Sequence, residues 1–306
     1  MDLRQLQALV AVDEQGTFSA AADSLATVQS NVSAHIARLE KELGAVLVDR
    51  SAGRLTDEGQ AVVDRARRIE AELESIVADV ASMKHDVTGR VRVGIIGTTA
   101  RWLVPRLLDE MGHRHPGVAL EIVDATSTSL EPQLVSGRLD LAVVNLPLPA
   151  TELTTTPLFD EDLLLFVPRT SPIAERWGGA EVDLAELGDL FLFLPPRGTA
   201  FRDLLDDAAR TAGVTLVARA ELDGLRLIAS LVISGQGAAI LPATAVPAHL
   251  QFETMPIAVR GLPCREVGVA QRKRGLPGAP ARAFLDVLHE IVRTDARAEV
   301  GLHLPG

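Results

Sequence analysis

The chain has 306 residues and 47% hydrophobic side chains, which suits two or three domains with ordinary cores and excludes a globally disordered protein. It contains one cysteine, Cys264, no signal segment after Met1, and no apolar run of the roughly 18 residues that span a bilayer. We therefore expect a cytoplasmic protein without an internal disulfide or a membrane segment. Its net charge of −11 argues against binding nucleic acid through overall charge, so such binding requires a local motif.

Three helices are predicted within the first 43 residues. Leucine and valine side chains three and four positions apart predict a first helix that ends at Gly16. Ser19 is the expected N-cap of a short second helix over Ala20–Leu25, and a three-residue break follows. A third helix is predicted over Gln29–Leu43, with its apolar side chains on one face. Two helices joined by a tight turn are the arrangement that enters the major groove of DNA.

The polar side chains of the third helix are the predicted base readers. They are Gln29, Ser30, Asn31, Ser33, His35 and Arg38. Glutamine and asparagine pair with adenine, serine serves several bases, and arginine favours guanine or phosphate. A polar helix face is also common on small helical domains that bind nothing, and the residues alone leave that alternative open.

A short strand over Val46–Val48 and a hairpin turn over Arg50–Thr56 predict a wing beside the third helix. We expect Arg50 and Arg54 to contact the phosphate backbone, and we include Thr56, at the end of the wing, among the DNA-binding residues. Between residues 26 and 54, four cationic side chains accompany three acidic ones, which is a small excess. The prediction of DNA binding therefore rests on shape and motif more than on charge.

The first 59 residues carry a pattern with fixed spacing. Its residues are Leu3-Arg4-Gln5-Leu6, Gly16-Thr17-Phe18-Ser19-Ala20-Ala21-Ala22, Val28-Gln29-Ser30-Asn31-Val32-Ser33, Leu39-Glu40, Leu43-Gly44 and Leu55-Thr56-Asp57-Glu58-Gly59. The pattern resembles that of the LysR-type transcriptional regulators. This resemblance implies that the third helix lies in the major groove and that the wing contacts the minor groove or the backbone. Departures from the family pattern are Ser30 where proline is frequent, Val48 where phenylalanine is frequent, and a shortened wing.

A heptad pattern follows the wing. Its apolar positions are Val62, Ala66, Ile69, Leu73, Ile76, Val80, Met83 and Val87, and charged residues flank them. Spacings that alternate between four and three predict a narrow seam that pairs two helices, so we expect a homodimer joined through residues 58–87. An ordinary amphipathic helix that lies on the next domain is the alternative. The resemblance implies pairing through this helix and a homotetramer built as a dimer of dimers.

From residue 88 onward, strands and helices alternate, which predicts an α/β domain. Strands are expected at Val91–Ile96, Val118–Val123, Leu139–Val144, Leu163–Val167, Leu190–Leu194, Val214–Ala220, Ala238–Leu241 and Glu266–Ala270. Helices are expected at Arg101–Arg114, Leu130–Val135, Leu184–Leu187, Phe201–Ala212, Leu225–Ser234 and Pro280–Val292. The first three strands are predicted to form a parallel βαβαβ unit with buried strands.

The predicted domain limits are 1–57 for the winged helix-turn-helix, 58–87 for the linker helix and 88–306 for the effector-binding domain, with a hinge at 86–90. Lobe one comprises 88–161 and 265–295, and lobe two comprises 162–264. Three further motifs are Gly89-Arg90-Val91-Arg92-Val93-Gly94, Gly137-Arg138-Leu139-Asp140-Leu141-Ala142 and Gly235-Gln236-Gly237-Ala238-Ala239-Ile240-Leu241-Pro242. They resemble the effector domain of LysR-type regulators, which is similar to periplasmic binding proteins of type II.

Ligands of such sheets bind beyond the carboxyl ends of the strands, where the two lobes face each other. The candidate effector-binding residues are Thr98, Thr99, Ala100, Ser127, Thr128, Asn145, Arg197, Gly198, Thr199 and Asp223. Some of them stand at helix starts, where free backbone N–H groups favour an anionic effector, and Arg197 adds a cation. The alternative for each serine or threonine is that it only caps its helix.

The sequence predicts no cofactor, no metal site and no enzyme. The glycines after the first strand do not complete a dinucleotide motif, and neither a phosphate-binding loop nor a nucleophile motif occurs. The predicted function is a transcriptional regulator that binds double-stranded promoter DNA and is controlled by a small-molecule effector between its lobes. A cytoplasmic solute-binding protein without a regulatory role is the alternative, and an enzyme that uses the cleft is a third possibility.

Overall fold

A computed structural model describes residues 1–83, 87–296 and 301–305 of the chain. Its N-terminal domain contains the helices α1 (Leu3–Gln15), α2 (Phe18–Ser24) and α3 (Gln29–Leu43). Leu9 of α1 and Ile36 of α3 are fully buried and meet in one apolar core with the alanines of α2. The three predicted helices are confirmed, and α3 has the bounds that the sequence pattern predicts.

The turn between α2 and α3 sets the direction in which α3 leaves the domain. Helix α2 begins at Phe18 rather than at Ala20, because Thr17 Oγ1, and not Ser19, accepts the capping hydrogen bond from Ala20 N (3.2 Å). After α2, Ala26 adopts a left-handed backbone conformation with φ of 50°. Thr27 N then donates to a carbonyl of α2, and the tight turn that results places α3 across the first two helices.

The wing consists of two short antiparallel strands, β1 (Val48–Asp49) and β2 (Arg54–Leu55). The predicted strand over Val46–Val48 is wrong in position, since Val46 lies outside the ladder and is exposed. Asp49 closes the turn by accepting hydrogen bonds from Ser51 Oγ (2.6 Å) and from two backbone N–H groups. These bonds hold the pKa of the Asp49 carboxyl below its usual range.

Helix α4 (Asp57–Ser82) is 26 residues long and therefore extends over about 39 Å. Its first turns pack into the N-terminal core through Val63 and Ala66, and Ala78 is buried further along the helix. The predicted seam is solvent-exposed beyond these turns. The exposed fractions are 39% at Ile69, 38% at Leu73, 60% at Ile76, 55% at Val80 and 80% at Met83. Residues 84–86 of the predicted linker, and with them the first residue of the predicted hinge, lie outside the described residues.

Lobe one contains a six-stranded sheet. Its strands are β3 (Gly89–Ile95), β4 (Val118–Asp124), β5 (Leu141–Asn145), β6 (Leu153–Glu161), β13 (Arg265–Arg272) and β14 (Leu302–His303). Their spatial order is β14-β6-β13-β5-β3-β4. The three strands β3, β4 and β5 are parallel, as predicted, whereas β13 runs antiparallel to both of its neighbours. Helices α5 (Gly97–Arg114), α6 (Ser127–Ser136) and α10 (Ala279–Asp295) belong to this lobe.

Lobe two contains a second, mixed sheet. Its strands are β7 (Leu163–Pro168), β8 (Val182–Asp183), β9 (Phe191–Leu194), β10 (Val217–Glu221), β11 (Ala239–Pro242) and β12 (Thr254–Arg260). Four of them have the order β11-β7-β12-β8, and the parallel pair β9–β10 joins β11 through a bridge between Leu192 and Ala238. Its helices are α7 (Pro172–Trp177), α8 (Ala200–Thr211) and α9 (Leu225–Ile233), with short 3-10 turns at Leu184–Leu187, Ala243–Ala245 and Ala248–Glu253.

Several elements differ from the sequence prediction. Helices α5 and α6 begin at Gly97 and Ser127, earlier than predicted, so that Ala100 is buried in the first turn of α5 instead of standing in a loop. The predicted helix at Leu184–Leu187 is a single 3-10 turn. The sequence pattern does not predict α7, β6, β8, β12 or β14. For β6 the reason is its composition, because a run of exposed threonines followed by Pro157 is typical of a connection.

Candidate DNA-reading surface and interlobe cleft

Helix α3 presents one face to solvent. Val32, Ile36 and Leu39 are buried in the N-terminal core, which leaves the opposite side of the helix open. The exposed side chains on that side are Ser30, Ala34, Ala37, Arg38 and Lys41, and we call them the reading face. Ser30, Ala34, Ala37 and Lys41 are three or four positions apart and form a stripe along the helix, and Arg38 lies beside this stripe. Ser30 and Arg38 are predicted DNA-binding residues, whereas the other three were not identified from the sequence.

The other predicted base readers stand beside this stripe. Gln29 is exposed at the start of α3, and Asn31 is exposed but donates from Nδ2 to Thr27 Oγ1 (3.0 Å). Ser33 and His35 are half-buried next to the core side of the helix. The His35 Nδ1 atom is buried and has no hydrogen-bond partner within the described part of the chain. These four residues therefore differ in how readily they can reach a base edge.

The three predicted residues of the wing have different surroundings. Arg54 is exposed on β2. The guanidinium of Arg50 lies over the ring of Phe18, 5.7 Å from its centroid, which holds this cation against α2. Thr56 Oγ1 donates to Val46 O (2.7 Å) and accepts from the first turn of α4. The hydroxyl of Thr56 thus caps α4, while Arg50 and Arg54 are both exposed cations.

On the lobe-one side of the cleft, the hydroxyls of Thr98 and Thr99 belong to a buried network. Both accept hydrogen bonds from Arg265 Nη2, at 2.7 Å and 3.3 Å. Arg265 pairs with Glu161 through Nε (2.8 Å), and Glu161 also accepts from Thr244 Oγ1 of lobe two (2.7 Å). Sequence reasoning did not find Glu161, Arg265 or Thr244. The network joins the lobes where their strands cross, and it engages the two threonines that were predicted to bind an effector.

The second predicted group lies at the start of α6. Thr126 caps this helix by accepting from Ser129 N (3.3 Å), and Ser127 Oγ accepts from Asn145 N (2.9 Å). Thr128 is exposed. The Asn145 Oδ1 atom is buried without a hydrogen-bond partner in residues 1–83, 87–296 and 301–305. A buried unpaired acceptor requires a donor, which a ligand or an ordered water supplies.

The predicted residues of lobe two surround the start of α8. Thr199 caps α8 and Gly198 has a φ of 82°, which glycine adopts without strain. Arg197 is 76% exposed, and its Nε atom lies 3.8 Å from Glu221 Oε1. Asp223 is exposed in the turn before α9. Arg197 and Asp223 are therefore open to solvent and Thr199 is half-buried, in contrast to the buried threonines of lobe one.

Two arginines that the sequence analysis did not identify bridge the lobes. Arg226 of α9 forms an ion pair with Asp124 at the end of β4. Arg101 of α5 donates from Nη1 to Ala245 O of lobe two (2.8 Å). Burial lowers the pKa of the Arg101 guanidinium, and the neighbouring cation Arg226 lowers it further. Each arginine stands near the start of a helix, Arg101 in α5 and Arg226 in α9. That position was the only feature of the sequence that could have indicated either residue.

Comparison with protein families matches both halves of the chain. Residues 3–60 match the model of the bacterial regulatory helix-turn-helix proteins of the lysR family, and residues 84–293 match the LysR substrate binding domain. The chain belongs to the LysR family. It is therefore a LysR-type transcriptional regulator with a helix-turn-helix and an effector-binding domain, and the alternative of a solute-binding protein without a regulatory role is excluded. No helix in the part of the chain that the structure describes is both long and apolar enough to cross a membrane.

Individual relatives of this LysR-family regulator match over nearly the whole length. A probable hydrogen peroxide-inducible genes activator of Mycobacterium leprae is 31% identical, with 95% of this chain and 94% of the relative covered. The DNA-binding transcriptional dual regulator OxyR of Escherichia coli K12 is 29% identical, with 96% and 95% covered. A full-length OxyR cysteine-to-aspartate variant from Pseudomonas aeruginosa has a TM-score of 0.76 at 27% identity, with 96% and 95% covered. The regulator CbnR in complex with its target DNA has a TM-score of 0.66 at 25% identity, with 96% and 99% covered.

Proposed function

We propose that this regulator binds double-stranded promoter DNA with α3 and the wing of two paired protomers, and that a small-molecule effector between the lobes controls it. The observation that carries the proposal is the exposed reading face of α3, on a domain that continues into the exposed apolar seam of α4. When two protomers pair through their α4 seams, the two reading faces match the two half-sites of an operator. The likeness to CbnR, which is known with its target DNA, supports the same function.

The proposal includes the following DNA-binding residues, domain limits, assembly and location. The DNA-binding residues are Gln29, Ser30, Asn31, Ser33, His35, Arg38, Arg50, Arg54 and Thr56. The domain limits are 1–57, 58–87 and 88–306, with lobe two at 162–264 and lobe one at 88–161 and 265–295. Strand β14 (Leu302–His303) pairs with β6, so lobe one also includes this strand. The seam pairs two protomers, and two dimers assemble into a tetramer. The protein works in the cytoplasm and catalyses no reaction.

The effector that suits the cleft is a small anion with a hydrogen-bond donor. Arg101 and Arg226 bring two cations to the cleft. A carboxylate that pairs with Arg226 replaces the internal partner Asp124 and so loosens one bridge between the lobes. The unpaired Asn145 Oδ1 atom accepts a hydrogen bond from the donor group of the effector. Thr128, Arg197, Gly198, Thr199 and Asp223 line the open part of the proposed site, and Thr98, Thr99, Ala100 and Ser127 support it from behind.

The relatives named for hydrogen peroxide raise the question of a redox signal. A disulfide within one chain requires two cysteines, and this sequence contains only Cys264. Burial and a hydrogen bond from its Sγ atom to Asp162 Oδ1 (3.2 Å) raise the pKa of the Cys264 thiol to about 11. Because the thiolate is the reactive form, such a thiol responds slowly to peroxide at neutral pH. We therefore propose control by a bound effector and not by a disulfide within the chain.

Mobility shifts of the full-length protein on its own promoter region test the proposed DNA binding. We expect sequence-selective binding that weakens strongly between about 50 and 200 mM salt. Arg54→Ala should weaken binding to every sequence by a similar factor, whereas Gln29→Ala should lower the affinity for one operator about tenfold and relax specificity at one base pair. Arg210→Ala, which removes an exposed arginine of lobe two, serves as the control and should change neither quantity. Binding without sequence preference would contradict the proposal.

A further inference from the structure

Strand β14 lies at the edge of the lobe-one sheet, next to the point where the chain crosses into lobe two. It pairs antiparallel with β6, and Leu302 stands opposite Glu161, the last residue of β6. Strand β7 of lobe two begins two positions later, at Leu163. We call residues 301–305 the strap. The strap therefore lies beside the junction between the lobes.

The strap is buried in lobe one on one face and bonded toward lobe two on the other. Leu302 is 7% exposed and belongs to the lobe-one core. Because side chains alternate along a strand, His303 points the other way, where its Nε2 atom donates to Asp162 Oδ1 (3.0 Å). Gly301 O accepts from Asp162 N (2.8 Å). The strap thus holds Asp162, the residue between β6 and β7, by its backbone and by its side chain.

Asp162 is also bonded to lobe two and to the second crossing between the lobes. Its backbone O accepts from Ala243 N (3.0 Å), in the turn that follows β11 of lobe two. Its Oδ1 atom accepts from Cys264 Sγ (3.2 Å), in the segment that leads from β12 back to β13. The strap, the turn after β11 and the returning segment therefore all meet at Asp162.

Gly301 packs against lobe two so closely that it leaves no room for a side chain. A Cβ atom at this position would lie 2.7 Å from Ala243 Cβ. The φ of Gly301 is 80°, in the left-handed region that favours glycine. With Leu302 fixed in lobe one, a movement of the turn after β11 away from lobe one separates Gly301 from Ala243 and breaks the contacts that the strap makes.

A strand that is buried in one lobe and bonded to the other resists their relative movement. We infer that the strap restrains the movement of the two lobes relative to each other, and that its detachment makes the junction between them more mobile. Thr244 reports on this movement, because its backbone N donates across the junction to Glu161 Oε1 (2.7 Å). The inference holds for any effector and does not depend on the proposed DNA binding.

Hydrogen–deuterium exchange of the full-length protein, resolved to single residues, tests this inference at two amides. Deletion of residues 301–306 removes the acceptor of the Asp162 amide and should speed its exchange. The Thr244 amide should also exchange about tenfold faster, which is the effect of losing about two hydrogen bonds from the junction. Amides of β5 in lobe one and β9 in lobe two should keep their wild-type rates, because β14 pairs with neither strand.

A single methyl group tests the contact without shortening the chain. Gly301→Ala should speed exchange of the same two amides, because its Cβ atom collides with Ala243. In an Ala243→Gly background the same substitution should have a smaller effect, since the collision is relieved and only backbone strain remains. Gly213→Ala is the matched control. Gly213 has a φ of 72°, and no atom of the described residues lies within 4 Å of its Cβ position, so this variant should leave both amides unchanged.

Each outcome decides for or against the strap. If the Asp162 amide exchanges faster while Thr244 keeps its wild-type rate, the strap only covers the edge of β6 and the inference is overturned. It is also overturned if β5 and β9 exchange faster by the same factor, or if Gly301→Ala has equal effects in both backgrounds. Faster exchange confined to the junction, with a smaller effect in the Ala243→Gly background, supports it. Where circular dichroism shows that the deletion prevents folding, Gly301→Ala decides by the same criteria.

Discussion

At the scale of single residues, Glu161 is the best example of a charge that the fold must satisfy. It is fully buried (0% exposed), and Arg265 is 5% exposed. A buried charge is unfavourable unless it is paired and hydrogen-bonded. Glu161 accepts from Arg265 of lobe one and from both the hydroxyl and the backbone N–H of Thr244 in lobe two. One carboxylate therefore fixes the point at which the lobes meet.

We predict that Glu161→Gln lowers the free energy of unfolding of the effector-binding domain by about 3 kcal/mol, because it leaves the Arg265 guanidinium buried without an anion. Urea unfolding of the full-length protein, followed by fluorescence, measures the change. The matched control is Glu181→Gln, which removes the charge from an exposed ion pair with Arg260 and should leave the unfolding transition in place. Equal shifts for both variants would show that the buried pair does not stabilise the junction between the lobes.

Part of the fold and of the site was accessible from the sequence, and the residues show where the limit lies. Helix α3 was predicted with its observed bounds, because its apolar spacing and Gly44 are local signals. The starts of α5 and α6 were missed, since Gly97-Thr98-Thr99 and Ser127-Thr128 have the composition of a loop. Glu161 and Arg265 are 104 positions apart, so no local pattern could pair them. The reading face was predicted only in part, because polar side chains were sought and exposed alanines were not.

At the scale of elements, helix α4 uses two sides for two purposes. On one side it packs on lobe one, where Asp79 Oδ1 accepts from Ala279 N (3.0 Å) and Gly278 lies against Ser75. On the other side the apolar seam stays exposed in the single chain. The alternative interpretation, a helix that lies on the next domain, therefore describes one side of α4, and the seam that the pairing prediction requires remains exposed on the other side. Exposed apolar side chains in a heptad row favour pairing with a second helix of the same kind.

We expect Ile76→Asp to separate paired protomers without unfolding them. Ile76 is 60% exposed in the single chain, so a carboxylate there is tolerated by the protomer but is unfavourable in a dry seam. Analytical ultracentrifugation should show smaller species and a dissociation constant raised about tenfold or more. Phe252→Asp places the same charge at an exposed apolar residue of lobe two and should leave the assembly unchanged. An unaltered molar mass for Ile76→Asp would exclude the seam as the pairing surface.

At the scale of the whole molecule, helix α6 connects the cleft to the N-terminal domain. Its first turn holds Ser127 beside Asn145, whose Oδ1 atom has no hydrogen-bond partner in the described residues. Its C-cap is Gly137, whose backbone lies against α4. The next residue, Arg138, donates from Nη2 to Asp13 Oδ2 (2.8 Å), and Asp13 also pairs with the buried Arg67 of α4. Asp13 therefore joins α1, α4 and lobe one. Through Arg138 and Asp13, a displacement of α6 at its cleft end would reach the domain that carries α3.

Arg138→Ala tests this route. The ion pair is half-exposed at Arg138 and mostly buried at Asp13, so its loss should cost about 1 kcal/mol at most, which corresponds to about a fivefold faster local opening. Hydrogen–deuterium exchange of the full-length protein should then increase at the last turns of α1 and α6 and, if α6 moves as one body, at its first turn beside Ser127 as well. Arg138→Lys retains the charge and should change exchange less, and Arg210→Ala in lobe two should change neither helix. An increase confined to residues next to Arg138 would mean that α6 does not transmit movement between the cleft and the DNA-reading domain.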